Sequence, residues 1–537
     1  MEVAAKRTAI ALLLALAVAS AYLCGGADGR HHHHTPKHTK HNSAAHPPSQ
    51  APGPSSSRRH PQAPGPASSR RHASPPHAQP VSPPAPPPSY PTPGGDGPAP
   101  APETGVYDVV KDFGAVGDGV TDDTDAIKTA WDTACQDDGE SVVLARAGYT
   151  FLVHTTVFTG PCHGRVTIQV RYVDGRRLWR KCGVLGVSMR YANGGVGWVC
   201  VQLDGTIVAP SDPDKWPANS KRNWLVFYQA HGTTLRGAGL IDGKGQKWWD
   251  LPCKPHKGGG SSTTHGGSCD SPVALRFFTS NNVTVQGLKV QNSPEFHFRF
   301  DSCRGVLVRG LSISSPQLSP NTDGIHVENT QDVLITDTAV SNGDDCVSIG
   351  AGTLNVHIEN VTCSLGHGIS IGSLGKQGTR ACVANVTVRN AVMRHSDNGV
   401  RIKTWQGGSG SVSSVAFENV RMDAVRNPII IDQYYCLTKS CENSTAAVLV
   451  SGVSYAGIRG TYDVRSPAIH FGCSDAVPCT NITLADVELL PASGQTVDEP
   501  FCWNVYGNAT TPTVPPVACL MDGSPGNWAD KSSLKCY

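Results

Sequence analysis

Short runs of alternating apolar and polar residues recur through the chain after residue 105. Each unit has an alternating segment, a polar corner with Asn or Gly, and a second alternating segment, and its Val, Ile and Thr content favours β-strands. The runs are NVTVQGLKV at 282, GVLVRGLSI at 305, DVLITDTAV at 332, NVHIENVTC at 355, NVTVRNAVM at 385, SVAFENVRM at 414, AVLVSGVSY at 447 and NITLADVEL at 481. A repeat of this length with no helix between its strands predicts an all-β solenoid, a parallel β-helix.

One segment near the start of this region has a helical period instead. In TDDTDAIKTAWDTAC, either Thr121 or Asp122 is expected to cap a helix. Ile127, Ala130 and Trp131 would lie on one side of it. We expect this short helix to cover the N-terminal end of the solenoid, because an uncapped solenoid exposes its core.

The first part of the chain differs sharply in composition from the rest. Residues 1–27 combine Lys6 and Arg7 with a short apolar run and small residues, which predicts a secretory signal peptide. Residues 28–104 are rich in Pro, Ser and His and have little to bury, so we expect a disordered linker. Residues 105–537 form the predicted β-helix domain. No other long apolar stretch follows, so no membrane span is expected.

Composition narrows the possible functions. The chain has 537 residues, with 45 Lys and Arg against 43 Asp and Glu, so a basic nucleic-acid-binding face is not expected. Eighteen cysteines indicate an oxidising compartment with several disulfides. The candidate short-range pairs are Cys346 with Cys363, Cys473 with Cys479, and Cys253 with Cys269. Six Asn-X-Ser/Thr sites, which also indicate secretion, lie at Asn282, Asn360, Asn385, Asn443, Asn481 and Asn508.

Candidate catalytic residues recur with the period of one coil. Asp323, Asp345 and His367 are spaced 22 residues apart, so they should lie one above another on the same face. Asp344 adjoins Asp345. Further along the chain, Arg401 and Lys403 are two residues apart on a predicted strand, so their side chains point the same way. Taken singly, NTDG, GDDC, GHG and RIK each fit an ordinary turn or a solvated strand. Their common phase favours a site, because independent turns have no reason to align.

The same residues lie in motifs that resemble those of glycoside hydrolase family 28, the polygalacturonases, and the plant members most closely. The matching motifs are SPNTDG at 319–324, GDDC at 343–346, GHGISIGSLG at 366–375, RIK at 401–403 and IIIDQYYC at 429–436. The similarity extends to YDVVKDFGAVGDGVTDDTDAI, DGTIVAPSDPDKW and IDGKGQKWWD, and so to nearly everything after the linker. The resemblance implies a right-handed parallel β-helix that hydrolyses α-1,4-linked galacturonan with inversion.

The resemblance also implies a role for each residue. Asp344 would be the general acid, Asp323 and Asp345 would activate water, and His367 would tune the acid. The residues implied to bind substrate are Arg401, Lys403, Tyr435 and Asn321. No metal or cofactor is implied, in contrast to pectate lyases, which share the fold type and use calcium. The expected partner is the homogalacturonan of pectin, and a secreted, monomeric cell-wall enzyme is expected.

Two other kinds of function remain open at this point. The first is a sister enzyme on the same scaffold, either an exo-acting polygalacturonase or a rhamnogalacturonan hydrolase. The complete RIK motif argues against the latter, because two cations suit a uronate. The second is a pectin-binding wall protein without turnover, which the presence of all three acids and the histidine disfavours.

Residues 170–202 depart from the family pattern. In the family, a segment like PCHGRVTIQ runs directly into LDGTIVAP, whereas here VRYVDGRRLWRKCGVLGVSMRYANGGVGWVCVQ separates them. The segment interrupts the expected strand. It begins with Val, whose codons start with GT, and ends with Gln, which CAG encodes, as an in-frame retained intron would. We therefore expect it to be a retained intron rather than a genuine surface loop. Sequencing the mature transcript decides between the two, since a message that carries the segment defeats the intron interpretation.

Overall fold

The computed structural model describes residues 104–163, 165–166, 199–217, 222–251, 271–437, 441, 443–494, 499–525 and 536. Within these ranges the chain winds into stacked coils of parallel strands, as the repeat predicts. The predicted signal peptide, all but the last residue of the predicted linker, and residues 170–198 of the expected insert lie outside them. In the part of the chain that is described, no helix is long and apolar enough to cross a membrane.

Most strands belong to a sheet of 24 members among the described residues. They are β1 (Thr104–Asp108), β2 (Asp118–Asp122), β3 (Glu140–Ala145), β4 (Thr150–Leu152), β6 (Arg165–Val166), β7 (Val199–Leu203), β8 (Thr206–Val208), β10 (Thr233–Arg236), β11 (Leu240–Asp242), β13 (Asn281–Gln286), β14 (Lys289–Gln291), β16 (Arg304–Arg309), β17 (Ser312–Ser314), β19 (Gln331–Thr336), β20 (Ala339–Asn342), β22 (Thr353–Glu359), β23 (Thr362–Leu365), β25 (Arg380–Arg389), β26 (Val392–Arg394), β28 (Ser409–Val425), β30 (Leu449–Tyr462), β32 (Cys479–Ala485), β33 (Glu488–Pro491) and β35 (Val505–Ala509).

The second sheet has eleven described strands, stacked in chain order. They are β5 (Thr156–Thr159), β9 (Asn223–Tyr228), β12 (Val273–Phe278), β15 (Phe298–Asp301), β18 (Ile325–Glu328), β21 (Val347–Ile349), β24 (Ile369–Leu374), β27 (Asn398–Thr404), β29 (Asn427–Asp432), β31 (Ile469–Gly472) and β34 (Phe501–Trp503). Two α-helices are described, α1 (Thr124–Gln136) and α2 (Gln246–Trp249).

Consecutive coils pair in register, so equivalent residues stack through the core. One column crosses eight coils and is aliphatic throughout: Val283, Val306, Val333, Val356, Val386, Val415, Val453 and Ile482. These are the predicted repeat units, and all eight side chains are nearly inaccessible to solvent. On the eleven-stranded sheet, the rings of Phe227, Phe277 and Phe300 stack at 4.7 and 5.2 Å between centroids. Burial of these columns, which is roughly proportional to apolar area, is the main source of stability.

The polar corners of the repeats adopt the left-handed backbone conformation. Asn, Asp and Gly tolerate this conformation best, which explains why they recur there. One such column, with φ between 54° and 71°, comprises Asn282, Gly305, Asp332, Asn355, Asn385, Ser414, Gly452 and Asn481. Within it Nδ2 of Asn385 donates to Oδ1 of Asn355, and Nδ2 of Asn355 donates to Oδ1 of Asp332, both at 2.8 Å. Three of the six predicted glycosylation sites therefore lie in this column, and their modification stays a prediction.

Helix α1 packs against β1, β3 and β5, the strands of the first coils, as expected of a cap. Its residues Ile127, Ala130 and Trp131 are buried. The predicted N-cap was wrong, because the helix begins at Thr124 and its N-cap is Asp123. The Asp123 carboxylate accepts hydrogen bonds from the main-chain N–H groups of Val116 and Gly117, so it anchors the preceding loop and makes no capping bond to the helix.

Six disulfides are formed among the described cysteines. Two of the three expected pairs are present, Cys346 with Cys363 and Cys473 with Cys479. The third, Cys253 with Cys269, lies outside the described residues. The other bridges are Cys135–Cys162, Cys382–Cys536, Cys436–Cys441 and Cys502–Cys519.

The end of the expected insert takes part in the solenoid. Strand β3 pairs first with β6, through Ser141 and Val166, and then with β7, through Val142 and Cys200. The partner of β3 therefore changes from residue 166 to residue 200 without a shift in register. Without residues 170–202 the chain would read Arg165-Val166-Thr167-Ile168-Gln169-Leu203. It would offer β3 the same number of partners, ending at the same Ala145–Leu203 pair.

We propose that residues 170–202 are dispensable for folding, and we expect their deletion to raise the melting temperature and the soluble yield. The continuous strand keeps every pairing with β3. Folding of the shortened chain also no longer includes the entropic cost of closing a long inserted loop. Circular dichroism melts of both forms measure the effect. A deletion of equal length within residues 28–104 is the control, and it should leave the melting temperature unchanged. A deletion variant that melts lower than the full chain contradicts the proposal.

Candidate active site

The acidic and imidazole side chains predicted from the 22-residue spacing occupy equivalent places on neighbouring coils. Asp323, Asp345 and His367 each stand two residues before the first inward residue of β18, β21 and β24. Those inward residues, Ile325, Val347 and Ile369, pair with one another in register. The spacing in the chain is thereby converted into a stack of functional groups at the beginning of three adjacent strands of the eleven-stranded sheet.

Arg401 and Lys403 reach the same place from β27. They alternate with Val400 and Ile402, which are fully buried in the core, so both cations project to the opposite face of the strand. A guanidinium nitrogen of Arg401 lies 2.6 Å from Oδ1 of Asp345, and Nζ of Lys403 lies 2.7 Å from Oδ2. The two predicted substrate-binding cations therefore each bind one oxygen of the same predicted catalytic carboxylate.

Asp345 is held as a carboxylate. Its side chain is only 2% exposed, and Ser370 Oγ donates a further hydrogen bond of 2.8 Å to Oδ1. Burial by itself favours the neutral acid, but Lys403 and Arg401 hold the pKa of Asp345 well below its usual range. The ionised form of Asp345 is therefore strongly favoured.

Asp323 has the opposite electrostatic environment. It is buried, and burial together with the neighbouring charges of Asp344 and Asp345 raises its pKa well above the usual value. Ser348 Oγ donates a 2.6 Å hydrogen bond to Oδ2 of Asp323 and partly opposes this rise. Two carboxyl groups on adjacent coils are thus driven apart in acidity, which is the usual basis for dividing acid and base roles.

Asp344 is bound on the open side of the cluster. Nδ1 of His367 lies 2.8 Å from its Oδ1, and the main-chain N–H of Asn321 donates to its Oδ2 at 3.2 Å. The other ring nitrogen of His367, Nε2, lies 3.7 Å from Oδ2 of Asp397. The predicted acid, the predicted histidine and Asn321 therefore come together, and Asn321 participates through its backbone.

Tyr435 lies beside the cations. Its ring centroid is 5.4 Å from Nζ of Lys403 and 5.6 Å from the ring of Trp405, which it meets edge to face. Burial raises the pKa of its hydroxyl. With Tyr435 in place, all eight residues predicted from the sequence come together in one region, on or next to strands β18, β21, β24, β27 and β29.

Sequence reasoning missed several polar residues around this region. Ser348 and Ser370 each donate to one of the acids, and they are themselves 22 residues apart. His326 precedes Ser348 by the same interval, so the period that located the acids could have located all three. His297 left no such signal. Its buried ring contacts the main-chain oxygen of Asp323 at 3.0 Å, and burial lowers the pKa of His297 to about 4.

A cation would compete with groups already present. Among the described residues, potential ligand atoms of Asp344, Asp345 and His367 lie within 4.8 Å of one another. Both oxygens of Asp345, however, are engaged by Arg401 and Lys403. These two positive charges repel a metal ion at the same carboxylate, so the electrostatics disfavour a metal centre.

Proteins of similar sequence are named as polygalacturonases. A probable polygalacturonase of Arabidopsis thaliana is 40% identical over 415 residues, which span 77% of this chain and 84% of that protein. A polygalacturonase of Chamaecyparis obtusa is 41% identical over 387 residues, spanning 72% of this chain and 67% of that protein.

Solved structures of low sequence identity share the fold. An endo-xylogalacturonan hydrolase from Aspergillus tubingensis has a TM-score of 0.55 at 21% identity and covers 76% of this chain and all of its own. A polygalacturonase from Erwinia carotovora has a TM-score of 0.52 at 20% identity, covering 77% and 98% respectively. The right-handed parallel β-helix is thereby confirmed.

The sequence model of glycosyl hydrolases family 28 matches residues 193–511, which include every predicted site residue. From this match and the extent of similarity to the curated relatives, the chain belongs to glycosyl hydrolase family 28.

Proposed function

We propose that this protein is a polygalacturonase that cleaves α-1,4-galacturonosyl linkages of pectin by an inverting mechanism. The observation that carries the proposal is the convergence of three carboxyl groups, one imidazole and two cations on consecutive coils. Hydrolysis with inversion needs one carboxyl group as acid and another as base, with room for a water molecule between them. The pectin-related names of the relatives support this choice of substrate.

Asp344 is the proposed general acid. It lies on the more open side of the cluster, with 19% of its side chain exposed, where a glycosidic oxygen can reach it. In this assignment Nδ1–H of His367 donates to Oδ1, and the transferable proton is on Oδ2, which has only the longer 3.2 Å contact with the main-chain N–H of Asn321. His367 therefore orients the carboxyl group of Asp344 towards the leaving oxygen.

Asp323 and Asp345 are the proposed pair that activates water. Asp345 is bound by two cations that favour its ionised form, so it can accept a hydrogen bond from water. Asp323 must lose its proton to act as a base, and its raised pKa makes this loss dependent on pH. We therefore expect activity to rise with pH as Asp323 ionises, and to fall again when the general acid deprotonates.

The cations retain capacity for substrate. Arg401 and Lys403 carry two positive charges against the single negative charge of Asp345, which leaves one net positive charge facing the cluster. A galacturonate carboxylate offers the matching charge, and a guanidinium can bind it through two parallel hydrogen bonds. Tyr435 adds an aromatic face beside Lys403 on which a sugar ring can pack.

The biological setting belongs to the same proposal. A secreted monomer acting on homogalacturonan in the cell wall agrees with the predicted signal peptide and with the disulfides formed. The exo-acting, rhamnogalacturonan-directed and non-catalytic alternatives differ from it in their products. The sizes and sugar composition of the oligosaccharides released distinguish the first two, and turnover distinguishes the third.

Replacing the proposed acid tests the function. We expect Asp344→Asn to lower kcat on polygalacturonate by about 10²–10⁴-fold, because the leaving oxygen loses its proton donor. Reducing ends released from polygalacturonate measure the rate, and affinity electrophoresis in a pectin gel measures binding, which we expect to be retained.

Asp337→Asn is the matched control for this substitution. Asp337 is an exposed corner residue with φ of 52°, which asparagine tolerates well, so this variant should cut at the wild-type rate. Wild-type protein that binds the polymer without releasing reducing ends would overturn the hydrolase proposal and leave the binding module as the function.

Because burial disfavours the charge on Asp323, we expect the variant Asp323→Asn to be more stable than the wild type, by an amount that depends on pH. Its pKa is higher in the folded than in the unfolded protein, so its ionisation destabilises the fold as pH rises through the folded-state pKa. Asp323→Asn removes this cost. Its melting temperature should therefore exceed that of the wild type at pH 7, and the difference should shrink towards pH 4. Melts across this range measure the difference, with Asp337→Asn as the control; a difference that grows as the pH falls contradicts the assignment.

A further inference from the structure

A chain of hydrogen bonds leads from Asp323 away from the proposed substrate. Oδ2 of Asp323 accepts from Ser348 Oγ at 2.6 Å, and Ser348 Oγ lies 2.8 Å from Nδ1 of His326. Nε2 of His326 in turn lies 3.5 Å from Oε2 of Glu328. Ser348 is fully buried, and the side chains of His326 and Glu328 are 14% and 22% exposed, so water competes poorly for these contacts.

The direction of these hydrogen bonds depends on the charge of Asp323. Ser348 has a single hydroxyl hydrogen and lies between two possible acceptors. When Asp323 is ionised it can only accept, so Ser348 donates to it and must receive a hydrogen from Nδ1 of His326. When Nδ1 has no hydrogen, Ser348 can donate to the imidazole instead, and Asp323 loses the bond that supports its negative charge.

Each ring nitrogen of His326 has a neighbour that can accept a hydrogen bond. Oε2 of Glu328 lies 3.5 Å from Nε2, and the hydroxyl of Ser348 lies 2.8 Å from Nδ1. Although burial favours the neutral acid, His326 and Arg299 lower the pKa of Glu328 to about 2, so it is ionised throughout the working range. Nε of Arg299 donates to Glu328 at 2.7 Å and fixes its position.

The surroundings hold the imidazole in one orientation. The ring of Phe296 stacks on His326 with centroids 4.7 Å apart and planes inclined by 26°. On the neighbouring strand β15 the charged groups are Arg299 and Asp301, and Arg276 of β12 binds Asp301 at 2.5 Å. On the other side, β21 contributes only the neutral Ser348. The charges that face Asp323 itself are Asp344, Asp345 and Lys403.

We propose that Ser348 and His326, supported by Glu328, are positioning residues that keep the Asp323 carboxyl group ionised and correctly oriented to activate water. This inference rests on the proposed hydrolysis, in which Asp323 is part of the base. Within the ranges that the structure describes, the polar side-chain contacts of Ser348 and His326 link them to Asp323 and Glu328 and not to the proposed general acid or the cations, so we expect these two residues to act on the base alone. The hydrogen bond from Ser348 opposes the effect of burial and of the charges of Asp344 and Asp345, all of which disfavour ionisation of Asp323.

The pH profile of kcat/KM tests this role. In Ser348→Ala the acidic limb should move to higher pH by about one unit, because the hydrogen bond to the charged Asp323 is lost. In His326→Leu the hydroxyl of Ser348 can still donate to Asp323 but no longer receives a hydrogen from the imidazole, so we expect a smaller shift in the same direction. The basic limb should stay in place, since Asp344 and His367 are untouched. In His326→Asn the side-chain amide takes the position of Nδ1 and can still donate to Ser348, so this variant should restore most of the wild-type acidic limb.

His357→Leu is the matched control, because His357 is exposed on β22 in the other sheet. It should leave both limbs unchanged. Acidic limbs at the wild-type pH in both Ser348→Ala and His326→Leu would overturn the proposed role. So would equal shifts in His326→Leu and His326→Asn, because the leucine variant alone lacks the donor.

A second measurement separates this inference from the proposed function. The pH dependence of the melting temperature reports the ionisation of Asp323 without turnover. In Ser348→Ala, the pH range over which stability falls as Asp323 ionises should move upwards. If wild-type protein does not cleave polygalacturonate, the function fails and these melts alone decide the role of Ser348 and His326. An unchanged pH dependence in both Ser348→Ala and His326→Leu refutes that role even if the enzyme is active.

Discussion

Parallel pairing in register between successive coils is the constraint on which the rest of this molecule depends. Strands about 4.8 Å apart place equivalent side chains in van der Waals contact, so valine stacks on valine and phenylalanine on phenylalanine. The same pairing acts on polar residues at the start of β18, β21 and β24. Asp323, Asp345 and His367 cannot separate without breaking strand pairs beneath them. The solenoid therefore enforces a charge arrangement that no flexible loop would adopt.

The surroundings favour the ionised form of Asp345 and disfavour that of Asp323. Asp345 exchanges its hydration for two cations and a serine hydroxyl, and its ionised form is favoured. Within the described parts of the chain no cation forms an ion pair with Asp323, and burial beside two other carboxyl groups favours its neutral form. Both residues directly precede paired strands of the same sheet, so the burial of the aliphatic and aromatic columns of the core offsets the cost of placing Asp323 there. Such opposed environments for similar groups are typical of catalytic sites.

Periodicity made much of this structure predictable. The repeated valines predict the stacked coils, and the 22-residue spacing predicts that the acids and the histidine share one face. Arg401 and Lys403 are two residues apart on a strand, which predicts that their side chains point to the same face. The residues that were missed depend on what the period does not encode. Asp123 occupies the N-cap position of α1 while its carboxylate binds the loop at Val116, and no periodic pattern encodes that contact. Cys382 bridges to Cys536 across 154 residues, and no local pattern indicates such a partner. Ser348 and His326 occupy outward strand positions, where polar residues usually signify only solvent.

Two connections between the sheets carry predicted substrate-binding residues. The segment between Ser314 and Ile325, which carries Asn321, enters the eleven-stranded sheet at β18. The segment between Asp432 and Leu449, which carries Tyr435, leaves it after β29, and the Cys436–Cys441 bridge lies within it. Asn321 and Tyr435 themselves lie outside the buried core. Because connections rather than paired strands carry these two residues, the length and sequence around them can vary while the pairing of the coils is kept.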